Sequence, residues 1–394
     1  MKINTDKQKI DELLMRGVDE VVIEEHVRKQ LESGKQLRIK FGIDPTGSEL
    51  HLGHAVPLRK LRQFQDMGHK VILLIGDYTA LIGDPTGRNE TRPMLTLAQV
   101  KKNMKTYLRQ AAQVLDIKHV EVRYNGEWYA DKGASFIMWL TGLVTVARIL
   151  DRDDFKKRLQ EDSDIHLQEV LYPLLQGYDS VALKADIEIG GRDQKFNMLM
   201  GRKIQKRLKE SEQDIMTFPL LVGTDGEKKM SKTYGNYIAL LDTPEEMYGK
   251  LMSIPDALII SYFELCTGVP FTEIKKITEE LKRGANPRDV KMKLARVIVT
   301  LYHSQKAAEN AGKKFAQTFQ KKDVPDDIGE IKAVGKSIVD VLIAAKFASS
   351  KTDARRLIEQ GGVKIDDVVV TDSALSVKRG SVIQKGKRFF VKVS

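Results

Sequence analysis

The chain has 394 residues and a single cysteine, Cys266. One cysteine excludes a disulfide framework and a cysteine-rich zinc cluster. No apolar run approaches the roughly 18 residues of a membrane span. The opening stretch, MKINTDKQKIDELLMRG, is charged and amphipathic, without the unbroken apolar core of a secretory leader. The expected address is therefore the cytoplasm, with no membrane partner. Two nucleotide-binding signatures are also missing, the G-x-x-x-x-G-K-[ST] loop and the G-x-G-x-x-G fingerprint. A nucleotide would have to be held another way. Internal repeats and low-complexity tracts are absent as well.

What is there describes a globular protein, with 42% hydrophobic and 30% charged residues. The length implies two or three domains. Net charge is +11 and uneven, since residues 336–394 hold twelve Lys/Arg against six Asp/Glu. A small basic stretch behind an enzyme-sized body points to a polyanionic partner, most often nucleic acid.

From residue 36 short apolar runs alternate with helical patterns. Strands are expected at Gln36–Ile43, Val71–Gly76, His119–Tyr124, Ile187–Ile189 and Thr217–Val222. Helices are expected at Ala55–Met67, from a Thr96 cap to about Leu115, over 136–160 and 166–182, and from about Gln194. Such alternation predicts an α/β fold, a doubly wound parallel sheet with helices on both faces. Its site should lie at the carboxyl ends of the strands. From residue 243 to 319 the pattern is helical throughout. The polar segment KKDVPDDIGEIKAVG (321–335) reads as a linker, and a small α+β region follows from Lys336. The expected domains are 1–235, 236–320 and 336–394.

Residues 51–54 read HLGH, at the end of a strand and the opening of a helix. Pro57 fits the first turn of that helix. A helix start attracts phosphate, and Gly53 leaves room for a bulky ligand. Half of a zinc site is the alternative, but no third His or Cys lies close in sequence. The second motif is EKKMSKT (227–233), after the last expected strand. Lys228, Lys229 and Lys232 crowd one loop with Ser231 and Thr233, which suits an anion. A solvated basic loop is the bland reading.

HLGH and KMSKT, in this order on this β/α pattern, resemble the HIGH and KMSKS motifs of class I aminoacyl-tRNA synthetases. The resemblance implies a Rossmann-like catalytic domain that binds ATP, with Mg²⁺ accompanying the nucleotide and no metal ligated by the protein. It implies that His51, Gly53, His54, Lys229, Lys232 and Thr233 meet the charge that builds as pyrophosphate leaves. The helix LYPLLQGYD (171–179) sets Tyr172, Gln176 and Asp179 on one polar face, and IGGRDQ (189–194) follows. This arrangement looks like that of bacterial tyrosyl-tRNA synthetases, in their second subgroup. By resemblance, Asp179 accepts from the phenol of tyrosine, Tyr172, Gln176 and Asp84 hold its ammonium, and Gln194 lies by its carboxylate. Asp44, Thr46, Gly190, Gly191 and Asp193, with Lys232, fall in register with the ATP and adenylate site. The segment GDPTGRNETR (83–92) resembles a mobile loop whose Arg88 and Arg92 reach pyrophosphate. Many relatives carry a Tyr where this chain has Lys40. The second partner of the phenol is then open, with Lys40 either pairing with Asp179 or turned to solvent.

The stretch 349–370, SSKTDARRLIEQGGVKIDDVVV, resembles the S4 RNA-binding domain. Ser350 or Thr352 can cap its helix, and Gly361 can end it in the left-handed conformation. Arg355, Arg356, Lys385, Lys387 and Arg388 are the expected contacts to tRNA phosphates. The resemblance also implies that 236–320 is a helical anticodon-binding domain. It implies a homodimer too, with much of its interface near 120–170. Two other readings stay open: a tryptophanyl-tRNA synthetase, and a non-catalytic RNA-binding protein that keeps a synthetase body.

Overall fold

A computed structural model describes residues 2–86, 95–320, 328–366, 368–386 and 389–394, without the side chains of 318–320. The chain divides into two compact units, 1–309 and 310–394.

The first unit is built on a six-stranded sheet. Its strands are β1 (Glu20–Val22), β2 (Arg38–Ile43), β3 (Lys70–Ile75), β4 (Val120–Tyr124), β5 (Ile187–Gly191) and β6 (Asp214–Phe218). Their spatial order is β1-β6-β5-β2-β3-β4. The chain winds outward from β2 through β3 to β4, then returns to the other side of β2 for β5 and β6. Those five strands are parallel. The reversal leaves a crevice between the carboxyl ends of β2 and β5, where ligands bind in open α/β sheets.

Several expectations need correction. β1 runs antiparallel to β6 at the sheet edge. Three residues are too few to carry a readable alternation. β6 starts earlier than the apolar run implied and stops at Phe218, because Pro219 has no N–H to give a ladder. The helix expected from Thr96 to Leu115 breaks into Leu97–Met104 and Tyr107–Ala111. Thr106 and Gln110 turn their side chains to the Ser48 carbonyl, at 2.6 and 2.9 Å. The helix expected over 136–160 is three short ones, Ala134–Thr141, Val146–Leu150 and Asp153–Gln160. Gly142 follows the first, and Thr145 and Arg152 are extended. Buried Arg152 reaches Asp154 at 2.6 Å and Thr86 at 3.0 Å.

Helices Pro244–Ser253, Ile259–Cys266, Phe271–Lys282 and Pro287–Tyr302 belong to the same compact unit as the sheet. Ile259–Cys266 packs on the helix that follows β2, Leu52–Asp66. The second unit has its own five-stranded sheet: β7 (Glu330–Ile331), β8 (Val363–Ile365), β9 (Val368–Val369), β10 (Val382–Lys385) and β11 (Phe389–Val393), in the order β7-β11-β10-β8-β9. Ile338, Leu342, Ile358, Val363, Ile383 and Val393 form its core.

One buried ion pair ties the helix Asp153–Gln160 to the helix Leu167–Leu183, which carries the polar face. Arg158 meets Glu169 with two parallel bonds, at 2.7 and 3.0 Å, both side chains being 2% exposed. Removing one partner strands the other charge in the interior. Arg158→Met should therefore lower unfolding free energy by about 3–5 kcal/mol, read as a lower midpoint in urea denaturation. An unchanged midpoint would show that Glu169 finds water in the folded state.

Candidate active site

One cavity of about 980 Å³ opens at the β2/β5 crevice. The helix Leu167–Leu183 faces it with Tyr172, Gln176 and Asp179. Asp179 is 2% exposed. Its Oδ1 accepts from the indole Nε1–H of Trp128 at 2.9 Å, and its Oδ2 accepts from Asn125 Nδ2 at 3.3 Å. Burial pushes the Asp179 carboxyl up to about 6, against the pull of the Lys40 charge and of the hydrogen bonds it accepts. Asn125 also donates to Thr79 Oγ1 at 2.9 Å, and Thr79 donates to Asp44 Oδ1 at 2.8 Å. The Tyr172 hydroxyl donates to the other oxygen of Asp44 at 2.8 Å. A continuous polar chain thus joins the helix face to the loop after β2. Across the cavity, Gln194 donates to Asp84 at 2.7 Å. Gln176 turns its Nε2 toward Glu188 at 3.3 Å, so its carbonyl oxygen is the half of the amide that can accept from a ligand cation.

The other half of the cavity is built on HLGH. His51 caps the helix Leu52–Asp66 from an extended conformation. Its backbone N–H donates to His54 Nδ1 at 3.2 Å, and the two rings lie 3.8 Å apart. That bond makes His54 Nδ1 an acceptor, which leaves Nε2 as the proton carrier. Burial is the main cause that depresses both imidazoles, to about 2 for His51 and about 4 for His54, and Lys232 adds to it. Both are neutral near pH 7 and act as donors, not cations. Pro57 lies in the second turn, not the first as expected. Lacking an N–H, it cannot bond the Gly53 carbonyl one turn back.

KMSKT reaches this helix start through the segment behind it. Leu52 N–H donates to the Ile238 carbonyl at 3.0 Å, and Leu240 N–H to the Leu50 carbonyl at 2.9 Å. Asn236 folds the loop by donating to Asp225 at 2.8 Å and accepting from Ser231 N–H at 2.8 Å. Lys229 pairs with Asp193 at 2.9 Å. The half-buried Lys232 ammonium has no ion pair or hydrogen bond among the described residues, and burial lowers its affinity for a proton. A methyl group on Gly47 would come within 2.7 Å of its Nζ. Among the described residues no group of three or more His, Cys, Asp or Glu could hold a metal. The cavity therefore has a carboxylate end buried in protein and a cationic end beside a helix start.

The family model for tRNA synthetases class I (W and Y) matches residues 32–320. The chain belongs to that family. The S4 domain model matches residues 338–383. The tyrosine–tRNA ligase of Dehalococcoides mccartyi is 48% identical over 394 residues, 99% of this chain and 100% of its own. That of Thermotoga maritima is 50% identical over 386 residues, 97% of this chain and 96% of its own. Among solved structures, a C-terminally truncated mitochondrial tyrosyl-tRNA synthetase of Coccidioides posadasii superposes with a TM-score of 0.65 at 26% identity, over 78% of this chain and 92% of that one.

The cavity of this synthetase is lined by every described residue expected at the catalytic, amino-acid and nucleotide sites. Besides the groups above these include Thr46, Gly53, Gly190, Gly191 and Thr233. Arg88 and Arg92 lie outside the described residues, as do Lys387 and Arg388. Lys40 is neither turned to solvent nor bonded to Asp179. It is fully buried and paired with Glu188 at 2.9 Å. Trp128, Asn125, Thr79 and Glu188 carried no local motif. Only the fold brings the first three together, from the segments that follow β3 and β4. In the S4 unit, Ser350 caps the helix Lys351–Glu359 and Gly361 is left-handed, at φ 67°. Arg355 and Arg356 are exposed on that helix, Arg356 meeting Asp353 at 2.8 Å. Lys385 turns inward to the Phe347 carbonyl.

A buried carboxyl held above its ordinary value destabilises the fold once it ionises. The folded state then binds the proton more tightly, so stability is lost as pH rises from about 4 to about 6. Asp179→Asn removes that cost. The unliganded variant should be more stable than the parent by about 2–3 kcal/mol at pH 8 and no more stable at pH 4, measured by denaturant unfolding. Equal gains at both pH values would rule out the charge as the cause.

Proposed function

We infer that the chain is a tyrosine–tRNA ligase. It joins tyrosine to ATP as tyrosyl-adenylate, releasing pyrophosphate, and then moves the tyrosyl group to the 3′-terminal ribose of tRNA(Tyr). One observation carries the substrate choice: Asp179, sealed at the cavity floor with its oxygens oriented by Trp128 and Asn125. It keeps acceptor lone pairs for a phenol O–H. Phenylalanine would leave that carboxylate without its partner, the kind of loss that discriminates strongly between substrates. We assign Tyr172, Gln176 and Asp84 to the tyrosine ammonium and Gln194 to its carboxylate.

Attack of the tyrosine carboxylate on the α-phosphate puts charge on phosphoryl and leaving oxygens. The neutral imidazoles of His51 and His54 donate N–H bonds from the helix start without attracting a counter-anion of their own. Lys232 supplies the free positive charge, and Lys229 adds a second when Asp193 turns to the adenylate ribose. Gly53, Gly190 and Gly191 let the nucleotide approach the backbone. Mg²⁺ enters with ATP. Orientation and electrostatics supply the rate, and no covalent enzyme intermediate is required. We further propose a homodimer in the cytoplasm. Exposed Met138, Trp139, Val146 and Leu167 support a subunit interface in the 120–170 region. Arg355 and Arg356 are our proposed tRNA phosphate contacts.

Amino-acid-dependent exchange of pyrophosphate into ATP tests this reading. Tyrosine should drive it and tryptophan should not; the reverse, or no exchange with any amino acid, removes the assignment. The acid limb of kcat/KM for tyrosine should fall near pH 6, as Asp179 protonates. Lys232→Ala should slow activation by about a hundredfold and leave the tyrosine dissociation constant nearly unchanged, whereas an effect confined to tyrosine binding would contradict its role. Ending the chain before Lys336 should spare exchange but weaken tRNA binding and flatten its salt dependence. Wild-type tRNA affinity in that shortened protein would exclude the S4 unit from binding.

A further inference from the structure

Lys40 and Glu188 face each other across β2 and β5 as register partners. Their side chains are 0% and 2% exposed, with Nζ 2.9 Å from Oε1. An ammonium has three protons to give. Lys40 gives them to Glu188, to Ser180 Oγ at 2.8 Å and to the Gln176 carbonyl at 3.1 Å. No donor is left for a substrate hydroxyl. Glu188 is equally occupied. It accepts from Ser180 Oγ at 2.9 Å, Gln213 Nε2 at 2.6 Å and Gln176 Nε2 at 3.3 Å.

A pair sealed in this way is a poor source of stability, because desolvation cancels much of its attraction. Its place suggests another use. Gln176 and Ser180 are one turn apart on the helix Leu167–Leu183 and flank Asp179, so Lys40 grips that helix on both sides of the carboxylate. The titratable groups around Asp179 are Lys40 from β2, Glu188 from β5, Tyr129 from the segment after β4 and Tyr172 from its own helix. Burial pushes both phenols far up, so they stay neutral. Lys40 is the one cation among them.

We propose that Lys40 is a positioning residue for tyrosine recognition: locked to Glu188, Ser180 and the Gln176 carbonyl, it is the counter-charge that keeps Asp179 ionised and aimed without touching the substrate. The proposal rests on the tyrosine reading above. It separates two duties that a phenol-binding tyrosine at this position would join, contact with the substrate and control of the carboxylate.

The test is pyrophosphate exchange by the full-length protein against pH, with tyrosine and ATP varied in turn. In Lys40→Met the acid limb of kcat/KM for tyrosine should move up by about one pH unit. Near pH 6.5, midway between the two limbs, the tyrosine KM should then rise about threefold, while the ATP KM stays within about twofold. Glu188→Gln keeps the Lys40 charge, so its acid limb should stay at the wild-type position or below. Lys40→Met with Glu188→Met removes the pair without stranding a charge. It should show the same raised limb, even if Lys40→Met alone does not fold. Equal upward shifts in the Lys40 and Glu188 variants would reduce the pair to scaffolding and overturn the proposal, as would an unmoved limb in the double variant. A wild-type protein without tyrosine-dependent exchange would instead remove the tyrosine reading itself.

Discussion

Asp179 is ionisable, nearly sealed from water and set where a ligand must reach it. Burial works against its charge, and a charge is what makes a carboxylate a strong acceptor for a phenol. The surrounding structure answers that conflict in graded steps. Trp128 and Asn125 donate to its two oxygens, which orients the group without supplying a full positive charge. Lys40 supplies the charge from the cavity wall, with its three protons already given to protein acceptors. A direct ion pair would have satisfied the carboxylate too well and left it no capacity for substrate. The polar chain from Asn125 through Thr79 to Asp44 then couples this end of the cavity to the loop that precedes HLGH.

The opposite end uses a different economy of charge. His51 and His54 cannot ionise near neutral pH, because burial and a nearby lysine both oppose it. A helix start already carries partial positive charge. Cations held permanently against it would repel one another in the free protein. Placing full charge on the KMSKT loop, with Lys229 parked on Asp193, keeps the resting site close to balanced. Positive charge can then be redirected when phosphate arrives. Backbone bonds between residues 50–52 and 238–240 carry the loop to the helix start, so motifs far apart in sequence share one floor.

Much of this is legible in the sequence alone. Strand and helix alternation gave the parallel sheet, and the two motifs with the polar face of 171–179 marked the cavity. The failures share a cause. Where side chains bond to distant carbonyls, as Thr106 and Gln110 do to Ser48, local periodicity no longer decides where a helix ends. Where a strand has three residues, as β1 does, it has no periodicity to read. The turn that holds Pro57 is not readable, because a proline near a helix start looks the same in sequence whether it sits in the first turn or the second.

The partner of Lys40 is hidden from the sequence for a deeper reason. Taken alone, a lysine in an apolar strand is an anomaly, and both sequence-level resolutions placed its charge against a neighbour in the site or in water. The answer lay in the register of β2 on β5, which sets Lys40 opposite Glu188. Residues at such a contact are separated by the whole outward winding of the sheet, so no motif can contain both. A cationic side chain at this position and an acidic one on the facing strand make physical sense only together. Either alone would strand a charge beside Asp179, in the part of the fold where an uncompensated charge does most damage to recognition.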